Sequence, residues 1–116
     1  KKIHIFGGGT VAHIANHLAI CAPAYGETAE ILAKLVLFKF ECKTYCHLTK
    51  MAGGKLETNE DVSAKIEELK KDFNTKVIFF NCALVDYEPK YLKTYSKSGL
   101  SMATNTDQFM PTLKFK

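Results

Sequence analysis

The chain contains no arginine; all sixteen of its basic residues are lysine. It therefore has no guanidinium fork for two-pronged contacts to phosphate or guanine. Anions must be met by lysine, backbone N–H groups or hydroxyls. Readout of duplex DNA, which leans on arginine–guanine contacts, is disfavoured. No apolar run approaches the roughly 18 residues of a membrane helix, so no span is expected. The opening KKIHIF has neither a signal-peptide core nor a small-residue cleavage site, and a cytoplasmic location is expected. Cys21, Cys42, Cys46 and Cys82 contain no CxxC pair, which points away from zinc ribbons and towards buried free thiols. Neither GxGxxG nor a GK[ST] phosphate loop is present.

What is present fits one folded domain spanning residues 1–116. The hydrophobic share of 47% and charged share of 24% suit an ordinary globular core. Lys2–Phe6 reads as a short apolar strand, broken by Gly7-Gly8-Gly9-Thr10. Val11–Tyr25 is ambiguous, and Pro23 argues against one helix through it. From Glu27 the spacing turns helical, with Leu32, Leu35, Val36 and Phe40 on an apolar stripe that Ile31 and Phe38 widen. Cys42–Leu48 alternates as a strand, with Lys43, Tyr45 and His47 on one face and Cys42, Thr44, Cys46 and Leu48 on the other.

Thr58-Asn59-Glu60-Asp61 starts a second helix, with Asp61 in a capping-box position. Its expected apolar face is Val62, Ile66, Leu69 and Phe73. Val77–Phe80 is apolar throughout, as for a central strand covered on both faces. The β-α-β-α-β alternation predicts an α/β fold: a Rossmann-like three-layer sandwich with a mainly parallel sheet. A C-terminal hairpin or flap follows over residues 90–116, with Ser98-Gly99 as the turn between Tyr91–Tyr95 and Leu100–Ala103.

Candidate chemistry gathers where strands end. Gly7, Gly8 and Gly9 would let backbone N–H groups approach a phosphate, and Thr10 adds a hydroxyl; the same run also reads as a tight turn. Asn81–Pro89, including Ala83 and Asp86, follows the third strand. If the strand order reverses between the first and third strands, the two loops face one crevice. Asp86 would there hold a ribose hydroxyl or Mg2+, or else serves as a turn former. Asn16 can stabilise an oxyanion or cap a turn. His13 and His17 would share one helical face, but no third metal ligand is evident. Lys90, Lys93 and Lys97 lie among Tyr87, Tyr91 and Tyr95. That interleaving suits a lid over an anion, a single-stranded nucleic acid surface or an ordinary exposed hairpin.

Taken in order, GGGT, IANH with Asn16, Gly26 before the helix, NCALVDY with Asp86, and KSGLSMATNTDQF resemble the phosphopantothenate–cysteine ligase domain of the DNA/pantothenate metabolism flavoprotein family. The resemblance implies a Rossmann-like dimer that uses CTP and Mg2+ to activate phosphopantothenate as an acyl-cytidylate, which the cysteine amine then attacks. It assigns Asn16 to the acyl intermediate, Asp86 to the nucleotide or its metal, and Lys93 to the acyl-phosphate charge. Lys97 competes for that last role. No flavin is implied for this chain. The alternatives are a nucleotide- or phosphate-binding module without the chemistry, or an oligomeric interaction protein that uses its tyrosine- and lysine-rich tail.

Overall fold

The computed structural model describes residues 1–93 and 109–115. In chain order the elements are β1 (Lys2–Gly9), β2 (Val11–Ala15), β3 (Leu18–Cys21), α1 (Glu27–Lys39), β4 (Lys43–Leu48), a 3-10 turn (Lys50–Ala52), α2 (Asn59–Lys70), β5 (Thr75–Ala83), β6 (Tyr87–Lys93) and β7 (Phe109–Phe115). They divide into two compact units. Lys1–Val11 with Cys21–Val85 makes the first, and Ala12–Ile20 with Asp86–Lys116 the second.

The first unit is the Rossmann-like α/β layer arrangement that the alternation predicts. Its sheet has the order β4-β1-β5, and both pairings are parallel. The chain runs from β1 through α1 to β4 on one flank, then through α2 to β5 on the other. The helices lie on opposite faces. Ile3 and Ile5 close on Ala29 and Val36 of α1. Phe6 closes on Val62 and Leu69 of α2. Alternate residues of β1 serve alternate layers, as strand geometry requires.

Several expectations about the core are overturned. The central strand is β1, buried from Ile3 onward, and not Val77–Phe80. Those residues belong to β5, an edge strand of the three-stranded sheet, where Phe79 and Phe80 stay 38% and 45% exposed. An all-apolar run signals that a strand can be covered twice, but the glycines of β1 decide which strand the helices approach. Gly7–Gly9 do not break β1; they are its last residues, opposite Asn81–Ala83. Of the stripe expected on α1, Val36 is buried and Leu32 partly so. Ile31, Leu35, Phe38 and Phe40 are exposed.

α2 starts as its sequence dictates. The Thr58 side chain accepts from Asp61 N at 3.1 Å, and Asp61 Oδ2 accepts from Thr58 N at 3.1 Å. The helix stops at Lys70, and Phe73 is fully exposed instead of continuing its apolar face. The reason is local: Asp72 Oδ1 accepts from Asn74 N at 2.9 Å, a side-chain turn that releases the backbone from the helix. All four cysteines are free; Cys21 and Cys46 are exposed, against the expectation of burial.

In the second unit, His13 lies on a strand and His17 in the Asn16-His17 turn between β2 and β3, so they share no helical face. β6 and β7 form an antiparallel pair, Tyr87 opposite Phe115 through Lys93 opposite Phe109. The predicted hairpin thus has Phe109–Phe115 as the partner of its first strand. The Ser98-Gly99 turn and the Leu100–Ala103 strand lie outside the described residues. No helix among the described residues is long and apolar enough to cross a membrane.

Candidate functional site

β1 and β5 are adjacent and parallel, and they deliver Gly7–Thr10 and Ala83–Val85 to the same edge of the sheet. The order β4-β1-β5 supplies the reversal that the sequence reading required. Open α/β sheets bind ligands outside the carboxyl ends of their strands at such a point.

Thr10 organises that edge. It is completely buried. Its N–H donates to Ala83 O at 3.0 Å. Its hydroxyl donates to Asn59 Oδ1 at 2.6 Å and accepts from Val85 N at 2.9 Å. Asn59 Nδ2 returns a bond to Val85 O at 2.9 Å. One hydroxyl and one amide therefore tie the ends of β1 and β5 to the first residue of α2. Asn59 was read only as part of a helix start. Its role has no local signal: Thr58 caps α2, and the Asn59 amide binds strand ends far away in sequence.

The glycines of β1 are explained by close approach. A methyl group on Gly7 would collide with Ala29 Cβ of α1. Gly8 adopts φ +102°, and a side chain there would strike Thr49 Oγ1. That Thr49 oxygen is buried and has no hydrogen-bond partner. The Gly9 N–H donates to Ala24 O at 2.8 Å. α1 begins at Gly26, φ +76°, with no side-chain cap and with Glu27 and Glu30 in its first turn.

The remaining sequence candidates fall in the second unit. Asn16 is exposed in the β2–β3 turn and lines an open depression of about 390 Å³ with His13, Ile14 and Ala15. Asp86, directly after Val85 in the chain, is exposed. Among the described residues, no cluster of three or more His, Cys, Asp or Glu side chains could hold a metal. Asp86 therefore fits Mg2+ only in the mode where one carboxylate shares the ion with substrate phosphates and water. Lys93 ends β6, opposite Phe109. Lys97 lies outside the described residues.

Sequence reasoning missed a pair of imidazoles on the α2 face of the sheet. His4 Nδ1 and His47 Nε2 are 2.8 Å apart. His4 also stacks on Tyr45, with ring centroids 5.3 Å apart. Burial first, then His4 and the Lys65 charge, lower the pKa of His47 to about 4. The His4 pKa is lowered by burial first and by the Lys2 charge second. Both rings are neutral at pH 7. The pairing joins residues 43 positions apart and has no local signature.

No family model and no curated protein matches the chain. Its structure is similar to the crystal structure of the DNA/Pantothenate Metabolism Flavoprotein from Streptococcus pneumoniae, with a TM-score of 0.69 at 19% sequence identity. The likeness covers 99% of this chain and 57% of that one. At this identity it establishes the fold, and the fold is the one the sequence resemblance implied.

Proposed function

We propose that the chain is a nucleotide-binding domain of the phosphopantothenate–cysteine ligase type. The observation that carries this reading is the adjacency of β1 and β5 at a reversal of strand order, with the Gly7–Thr10 and Ala83–Val85 segments on one sheet edge. In the proposed reaction the substrate carboxylate attacks the α-phosphorus of CTP. An acyl-cytidylate forms and pyrophosphate leaves. The cysteine amine then attacks the acyl carbon, an amide bond forms, and CMP departs.

Each residue has a defined part in this scheme. The Asn16 amide donates to the oxygen that gains charge during acyl transfer. Asp86 binds the nucleotide with Mg2+. Lys93, with Lys97 beside it in sequence, neutralises the acyl-phosphate. Gly7–Gly9 and Ala83 shape the nucleotide's bed, and Thr10 fixes the two loops. The protein acts in the cytoplasm as a homodimer on an anionic small molecule.

The test is CMP release from CTP on addition of phosphopantothenate and cysteine. Release above background that Asn16→Ala and Asp86→Ala each abolish is expected. No release, or equal release by both variants, defeats the reading.

A second reading is nucleotide binding without the chemistry. Calorimetry with a nucleotide panel separates the two. Heat of binding without turnover selects the module, and no binding defeats both.

A further inference from the structure

The outer edge of β4 carries a second concavity, on the side of the sheet order away from β5. It measures about 450 Å³ and is lined by His47, Leu48, Gly54, Lys55, Leu56 and Lys65, among others. That volume lies within the range of small-molecule sites. Leu48 is the last residue of β4, so the concavity opens at the carboxyl end of a parallel strand.

Apart from the Cys46 thiol, its polar side chains are hydrogen-bond donors. Lys55 is exposed, and Lys65 is half-buried. Lys65 Nζ lies 3.5 Å from Glu68 Oε1, but Glu68 is 69% exposed and does not line the cavity. A pair this exposed is easily exchanged for a better anion. The third donor is the His47 ring, and His4 sets its proton. His4 Nε2 is buried with no partner. A proton placed there would be an unsatisfied buried donor, so the His4 proton belongs on Nδ1 and is donated to His47 Nε2. His47 must then carry its own proton on Nδ1. That nitrogen is not among the buried atoms lacking a partner, and it has no hydrogen-bond partner among the described residues.

The groups surrounding the His47 ring are His4 and Phe6 from β1, and Lys65 and Glu68 from α2. The cavity thus combines two ammonium groups, one neutral N–H held in a single tautomer, and apolar walls from Leu48 and Leu56.

We infer that this cavity binds the phosphate group of a small phosphate ester, with Lys55, Lys65 and the Nδ1–H of His47 as its donors and the two leucines against the ester body. A chain without arginine meets phosphate in this way, through point charges supplemented by a fixed neutral donor. The site is independent of the proposed β1–β5 nucleotide edge, and either can fail alone.

The test follows the His47 ring resonances of the whole chain by NMR through a pH titration. The titration is run in inorganic phosphate, in acetate, and in sodium chloride at matched ionic strength. Phosphate is expected to shift the ring signals saturably and to raise the His47 pKa from about 4. Acetate and chloride are not. Lys65→Met removes a charge-assisted contact and should weaken the phosphate response about tenfold or more. His4→Phe keeps the packing but releases the tautomer, and should weaken it by a smaller factor while the circular dichroism spectrum stays unchanged. No saturable phosphate shift, an equal response to chloride or acetate, or a Lys65→Met response equal to that of the parent overturns the assignment.

Discussion

On one side of β1, Ile3, Ile5 and Gly7 meet α1 through carbon alone, and Gly7 comes so close to Ala29 that no side chain fits between them. On the other side, Phe6 meets Val62 and Leu69 of α2, while His4 joins His47 and Tyr45 in a stack of polar rings. The same strand therefore supports two kinds of interface. The α1 face gains stability from proximity and tolerates no added volume. The α2 face accepts two titratable rings, at the cost of a buried nitrogen with no partner. The helices differ in step with their faces. α1 has no side-chain cap and depends on its packing, whereas α2 has a complete capping box. Rigidity lies on one face and proton chemistry on the other.

The largest expected effect breaks the α1 face. Gly7→Val drives two methyl groups and a Cβ into Ala29 and should leave no cooperative unfolding transition in a urea melt, since overpacking here has no flexible neighbour to absorb it. Ile5→Ala, at a fully buried position, should lower unfolding free energy by about 2–5 kcal/mol in the same assay.

The α2 face responds to pH instead. His4 and His47 both have folded pKa values below the ordinary histidine value, so the unfolded chain takes up protons that the folded chain refuses. Their contribution is intact above about pH 6.5 and is lost as pH falls towards 4. Thermal melts across that window should show a slope that His47→Phe flattens. An unchanged slope would mean that the paired rings are not the groups that titrate. The smallest effect sharpens the contrast between the helices. Thr58→Ala should cost about 1 kcal/mol by removing the cap of α2, with hydrogen exchange rising in the first turn of α2 while α1 keeps its protection.

The parts of this fold that local chemistry controls were readable from the chain. Thr58 and Asp61 mark the start of α2, Glu27 marks the start of α1, and the alternation of elements implies a parallel sheet. The faces of β4 also alternate as read, with Tyr45 and His47 on the His4 side and Leu48 on the α1 side. What escaped reading depends on register. Val77–Phe80 looks central by composition, yet the glycines place β1 there. Phe73 fits a helical period that the Asp72–Asn74 turn cuts short. Of the candidate site, the Gly7–Thr10 and Ala83 segments could be placed on one edge from the alternation alone. Asn59 and His47 could not, because each gains its meaning from a strand far away in sequence.

The departure of the chain from β1 has a practical consequence. Thr10 and Ala22 are stitched together by Ala22 N to Thr10 O at 3.0 Å, next to the Gly9–Ala24 bond. The outgoing and returning segments therefore close on each other before β2 and β3 extend beyond them. The excursion is a stem with a sealed base. The tip can therefore be altered at the exposed His17 with both anchor points left in place, which makes that position a handle for engineering this domain.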